Sequence, residues 1–309
     1  VSDSAPAPKS TTDPMPDFTP RSNDPAWLTE QYDNRARVPE YPQHLARWQQ
    51  ASRRARDSLQ GRLDIHHGPA PGEALDLFVP KAPSPSSAAP VLVFVHGGYW
   101  RALDKADFSF VAEPFVKAGA AVVVPNYDLC PKVTMETLVL QVCGAVAWVH
   151  REGPALGLDA AKVVVAGHSA GGHLAAMMLS CRWPVFDASL PANLVADAIA
   201  ISGMYDLEPI RCTPFLQADL RLAPATVKRA SPAFYPRPRG RLWAVDGALE
   251  SQEYHRHLQL IRDQWGPTAV PLAERIEGRD HFTVLDAFVE PAHRLHRLAL
   301  ERLGLARGD

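Results

Sequence analysis

A serine set among glycines, a histidine near the C-terminal end and a carboxylate some thirty residues before it are the side chains of this 309-residue chain whose types and order could do chemistry. Gly167-His168-Ser169-Ala170-Gly171 fits G-x-S-x-G, with the strand-like "KVVVA" before it and the helix-like "HLAAMML" after it. In that context the serine occupies a sharp strand-to-helix turn. Small neighbours tolerate the strained backbone, and Oγ is thrust into a cleft beside the amides of a helix N-terminus. An alcohol is a weak nucleophile until a base takes its proton, so a histidine must serve it, and a carboxylate must fix that histidine's tautomer.

In a fold of this kind the chain order is serine, acid, histidine. His281, in "IEGRDHFTVL", follows the last expected strand and precedes the closing helix, where a loop can reach the serine. His255, His257, His293 and His296 fall in helical text and read as surface residues. The acid belongs in the loop after the penultimate strand. There "RLWAVDGALESQEYHR" offers Asp246 at the strand end and Glu250 beyond Gly247; Glu250 is preferred and Asp246 stays open. A tetrahedral oxyanion also needs donors. "HGGYW", His96 to Trp100, follows the apolar "VLVFV", and its glycines leave backbone N–H groups unobstructed, so Gly97, Gly98 and Tyr99 are expected to form an oxyanion hole with Ala170. Tyr99 and Trp100 are expected to wall the acyl or leaving-group pocket. The reaction class is acyl transfer to water.

The elements that must position these groups follow from periodicity. Near-continuous apolar strands ("VLVFV", "AAVVVP", "KVVVAG", "VADAIAIS", "RLWAV", and a last one near "VPLAERIE") alternate with helical segments near 108–117, 135–151 and 173–180. Such alternation predicts an α/β fold, a mostly parallel sheet of about eight strands with helices on both faces. "RLDIHH" and "EALDLFVP" suggest an antiparallel entry to it. A closing helix is expected over about 283–302. The Pro/Ser/Thr-rich residues 1–22 read as a disordered or extended tail. Residues 23–309 read as one domain, with a helical arm at 23–60, where Tyr41, Leu45 and Trp48 recur at helical spacing, and a proline-dotted cap insertion at 204–239. Arg35 and Arg37 in the arm are given no role.

Charge and composition exclude other classes. Lys and Arg (32) nearly balance Asp and Glu (34) without a basic block, so nucleic acid is not an expected partner. No apolar run approaches a membrane span and the opening residues lack the basic-then-apolar order of a secretion signal, so a cytoplasmic protein without a membrane partner is expected. Cys130, Cys143, Cys181 and Cys212 show no C-x-x-C pairing and no ligand spacing, and read as small buried hydrophobes. No metal and no cofactor is expected.

The chain resembles the α/β-hydrolase-fold kynurenine formamidases (arylformamidases) of the broader "HGG" esterase group. The likeness rests on "HGGYW", "NYDLCPK", "GHSAGGHLAAMML", "ISGMYDLEPI", "SPAF", "ESQEYHR" and "GRDHF", and runs from about Glu30 to the C-terminal helix. It implies the α/β-hydrolase fold and hydrolysis of N-formylkynurenine to kynurenine and formate, by a serine, an acid and a histidine without metal or organic cofactor. Ser169 then stands as nucleophile, His281 as base and Glu250 where the family has aspartate, a departure from its pattern. The small aromatic substrate would be met by Trp100, Tyr205, His168 and Phe282. A homodimer is left open. Two other readings remain: a carboxylesterase, amidase or carbamate hydrolase for another small aromatic compound, and a hydrolase-shaped binding protein without activity.

Overall fold

The computed structural model describes residues 24–81 and 88–305. The expected tail at 1–22 lies outside them, as does most of the Pro/Ser loop before "VLVFV". Runs of valine, isoleucine and alanine make the sheet: β1 Gly61–His66, β2 Ala74–Phe78, β3 Ala89–Val95, β4 Ala121–Pro125, β5 Leu158–His168, β6 Asp197–Ile201, β7 Arg241–Gly247 and β8 Leu272–Ile276. They lie in the order β1-β2-β4-β3-β5-β6-β7-β8. β2 runs antiparallel to both of its neighbours, and every pairing from β4 to β8 is parallel. This is the eight-stranded, mostly parallel sheet expected of the sequence.

Side chains two apart share a face of a strand. Val91, Val93 and Val95 of β3 therefore join one core, and Leu92 and Phe94 join the other. Both faces need cover. α5 (Met135–Glu152), α6 (Ala170–Ser180) and α11 (Gln252–Ala269) supply the first core, and α4 (Ala112–Ala118), α12 (Val284–Val289) and α13 (Arg294–Arg302) the second. α5 starts where the Thr134 side chain accepts a bond from the Thr137 N–H, and α4 stops at Gly119, whose φ of 104° suits a residue without Cβ. The single closing helix expected over 283–302 is instead the pair α12 and α13. Pro291 sits in the break, lacking the N–H that a continuous helix would need there.

The arm comprises α1 (Pro25–Tyr32), α2 (Asn34–Arg37) and α3 (Tyr41–Ser58). α3 buries Trp48, Ser52 and Ala55, spaced four and three apart. Trp48 stacks on Phe110 at 5.8 Å, and Ser52 accepts from the Phe110 N–H while donating to the Asp107 carbonyl. After the four-residue α7 (Trp183–Phe186), the 204–239 stretch holds three short helices, α8 (Glu208–Cys212), α9 (Pro214–Leu220) and α10 (Pro224–Ala230), each with proline in its first turn.

Candidate active site

β5 ends at His168 and α6 begins at Ala170, leaving Ser169 alone to turn the chain, at φ 58° and ψ −118°. Two close backbone approaches require the flanking glycines. A Cβ at Gly167 would stand 2.1 Å from the Gly171 carbonyl oxygen, and one at Gly171 would stand 1.9 Å from that of Val95. The Ser169 N–H donates to the Ile201 carbonyl, which ties the turn to β6. Strain of this sort costs about 1–3 kcal/mol and persists only where the surroundings enforce it.

Ser169 Oγ lies 3.1 Å from His281 Nε2, and His281 Nδ1 lies 2.7 Å from Glu250 Oε2. Serine and histidine are 3% and 6% exposed, so the relay runs in a nearly dry environment. The second carboxylate oxygen of Glu250 accepts from the Ser202 hydroxyl at 2.5 Å and from the Gly247 N–H at 2.7 Å. Three donors thus converge on this carboxylate and hold it against the imidazole. Asp246 points elsewhere. Its Oδ2 meets His255 Nδ1 at 2.8 Å, and burial pushes its carboxyl up to about 6. Of the two acids that the sequence left open, Glu250 is the one that reaches His281.

The "HGGYW" loop lies against the nucleophile, since a Cβ on Gly97 would meet the His168 carbonyl at 2.9 Å and Ser169 Cβ at 3.1 Å. Gly98, Tyr99 and Trp100 all have positive φ, at 113°, 50° and 55°. This unusual run is braced from "NYDLCPK": the Tyr127 hydroxyl donates to the His96 carbonyl and the Cys130 N–H to that of Trp100. Among the described residues no acceptor meets the N–H groups of Gly98, Tyr99 or Ala170. Free amides beside a strained serine can receive the charge of a tetrahedral oxyanion.

The four residues expected to contact substrate are occupied by the protein itself. Trp100 is fully buried, its indole N–H donating to His173 Nδ1 at 3.2 Å. His168 donates from Nε2 to the His281 carbonyl at 2.7 Å, and burial pulls its imidazole down to about 3, so it stays neutral and positions the base. Tyr205 is buried beneath Gly203. Phe282 is packed by Tyr41, His44 and Trp48 of the arm. An aromatic near a catalytic serine is as apt to fill core as to meet a ligand.

Sequence reading also missed residues that the fold delivers to the site. The Tyr254 ring, on α11, lies 4.8 Å from that of His281. Its hydroxyl accepts from Asn34 Nδ2 at 2.8 Å and lies 2.9 Å from the Tyr99 hydroxyl. Tyr99 in turn donates to the Tyr32 carbonyl, so Tyr254 is left as the donor of the tyrosine pair. Tyr254 lies within "ESQEYHR", which carries the resemblance without attaching a role to it, and Asn34 lies in no motif. Ser202 did lie within quoted text, "ISGMYDLEPI", but only its contact with Glu250 reveals what it does.

Among the described residues no cluster of three or more metal-ligating side chains occurs, and no helix is long and apolar enough to cross a membrane.

The BD-FAE family model matches residues 75–235. Kynurenine formamidase of Danio rerio is 30% identical over 84% of this chain and 88% of its own length, and kynurenine formamidase of Salmo salar gives the same figures. Among solved structures, one described as a candidate thioesterase from Silicibacter sp. TM1040 superimposes with a TM-score of 0.75 at 28% identity, over 87% of this chain and 97% of that one.

Proposed function

Because the chain belongs to the kynurenine formamidase family of α/β-hydrolases, we propose that it hydrolyses an aryl formamide, N-formyl-L-kynurenine before others, with Ser169 as nucleophile, His281 as base and Glu250 as the acid that orients it. His281 Nε2 takes the proton from Ser169 Oγ as the oxygen attacks the formyl carbon. The carbonyl oxygen becomes an oxyanion held by the amides of Gly98, Tyr99 and Ala170. His281 then gives its proton to the aryl nitrogen as the C–N bond breaks, and the aniline leaves. A formyl ester remains on Ser169. Water, deprotonated by the same imidazole, attacks that ester; formate departs and the serine recovers its proton.

Glu250 stabilises the imidazolium through both transfers without taking a proton itself. An acid one methylene longer than aspartate keeps its role here because its other oxygen is tied to Ser202 and Gly247. The observation that carries the reading is the unbroken Ser169–His281–Glu250 relay inside a site whose serine is almost wholly enclosed. Formyl, with only hydrogen on its carbon, is the acyl group such an enclosure admits most readily.

The test is kcat/KM for N-formylkynurenine beside aryl acetates, aryl amides and carbamates, on the wild type and on Ser169→Ala. We expect the formamide to be preferred and the alanine variant to lose about 10³- to 10⁶-fold in kcat while its unfolding curve is unchanged. Preference for an ester would move the substrate class. Turnover surviving Ser169→Ala would reject the mechanism.

A further inference from the structure

The sequence predicts packing roles for the cysteines, and Cys130 fits one: burial pushes its thiol up to about 11. Cys143 and Cys181 differ. Cys143 lies on the inner side of α5, Cys181 directly follows the last residue of α6, and the Cys143 thiol donates to Cys181 Sγ across 3.8 Å. Both border a groove of about 970 Å³ between α5, the end of α6 and the segment leading into β7. Cys181 is partly exposed there, whereas Cys143 is buried. Four arginines line the same groove, Arg182, Arg229, Arg237 and Arg239. Only Arg229 is matched by an acid, Glu136, among the described residues.

We infer that Cys143 and Cys181 form a thiol–disulfide exchange site whose co-substrate is a small disulfide bearing carboxylates. The thiolate is the attacking species in such exchange, and the partner that receives a hydrogen bond holds it more readily. Cys181 receives that bond, which draws its thiol down, while Cys143 as donor is held well up. Cys181 Sγ attacks one sulfur of the external disulfide and expels the other half as a thiolate, which takes up the proton that Cys181 gave up. Cys143 then loses its proton and attacks Cys181 Sγ, releasing the second half as a thiol. One S–S bond breaks and one forms; the external disulfide is reduced by two electrons and the protein dithiol is oxidised by two. The sulfurs must close from 3.8 Å to about 2.05 Å. Cys181 has left the helix and is free to make that move. Since α6 starts at Ala170, the bond would form about 16 Å along the helix from the nucleophile, outside the acyl-transfer site.

The experiment uses the full reduced chain in graded mixtures of reduced and oxidised glutathione, followed by alkylation of free thiols and tryptic mapping. The two cysteines fall in separate peptides, 133–151 and 163–182, so a cross-link is read directly. We expect those peptides to be joined with loss of two hydrogens, Cys130 and Cys212 to stay alkylated, and dithiothreitol to reverse the change. Cys143→Ser should stop at a glutathione adduct on Cys181, and Cys181→Ser should leave Cys143 unreacted. Arg237→Ala with Arg239→Ala should slow oxidation by glutathione disulfide about three- to tenfold and leave oxidation by the uncharged hydroxyethyl disulfide unchanged. Four free thiols in the wild type at oxidising ratios, or a wild-type adduct that never passes to Cys143, would overturn the assignment of the pair. Equal slowing with both disulfides, or none with either, would overturn the anionic co-substrate.

Discussion

At Glu250, three donors converge on one carboxylate, whereas Asp246, four residues earlier, keeps an oxygen buried without any partner. The two acids should therefore answer differently to the same loss of charge. Glu250→Gln removes the charge opposite the imidazolium and sets an amide NH2 against one of the three donors; kcat should fall about 10²- to 10⁴-fold. Asp246→Asn should stay within about tenfold of wild type. Steady-state kinetics on the two variants checks the ranking, and the reverse order would show that the acid had been assigned to the wrong residue. The meeting of Ser169, His281 and Glu250 is legible in the sequence because a motif with its strand and helix fixes the first, and chain order in the fold narrows the others to two short loops. The substrate wall is not legible. Residue type near a site carries no information about which way a ring faces, and Trp100 and Phe282 both turned into the protein.

Among the elements, the arm matters more to the site than its sequence suggested. α3 reads as amphipathic from its spacing, and it packs as such. What spacing could not convey is that α2 sends Asn34 to a tyrosine 220 residues away, whose ring stands beside His281. A pair so distant leaves no periodic trace. Losing one hydroxyl from this cluster should cost about 1–2 kcal/mol, or roughly five- to thirtyfold, in kcat/KM. Tyr254→Phe is the cleaner test, because the ring stays in place against His281. Asn34→Ala should give a similar loss although it lies on a different helix. If Asn34→Ala lowers the thermal midpoint but leaves kcat/KM untouched, the arm is only packing. The divided closing helix teaches the same lesson in reverse, since a proline in plain view outweighed an otherwise helical pattern.

Across the whole molecule, several histidines are folded into the interior as neutral rings. His168 donates to a carbonyl; His173 accepts from Trp100 and donates to the Ala230 carbonyl; His257 accepts from the Tyr205 N–H. Burial pulls His168 to about 3 and His173 to about 4, and holds His257 well below its ordinary value. Unfolded, each would bind a proton near pH 6.5. The unfolded state therefore holds more protons from about pH 6.5 down to the folded values, and stability must fall as pH falls through that window, by up to about 1.4 kcal/mol per pH unit for each ring. Asp246 acts oppositely: its folded carboxyl keeps a proton up to about 6 whereas the unfolded one releases it near 3.8, so its contribution falls as pH rises. Three groups outweigh one. Denaturant unfolding at pH 6.5, 5.5 and 4.5 should show steadily lower stability, and Asp246→Asn should make the decline steeper by removing the opposing group. A flat or rising profile on acidification would mean that these rings are not buried as neutral bases.

The relay joins residues 112 positions apart, the serine preceding the imidazole. A ribosome making this protein exposes the alcohol long before it adds the base. Throughout that interval the nascent polypeptide carries a serine with nothing to deprotonate it, and so cannot acylate itself on whatever activated carbonyl compound it meets. Competence arrives only after β6, β7 and β8, which lie between the two groups in the chain, have been made and have joined the sheet.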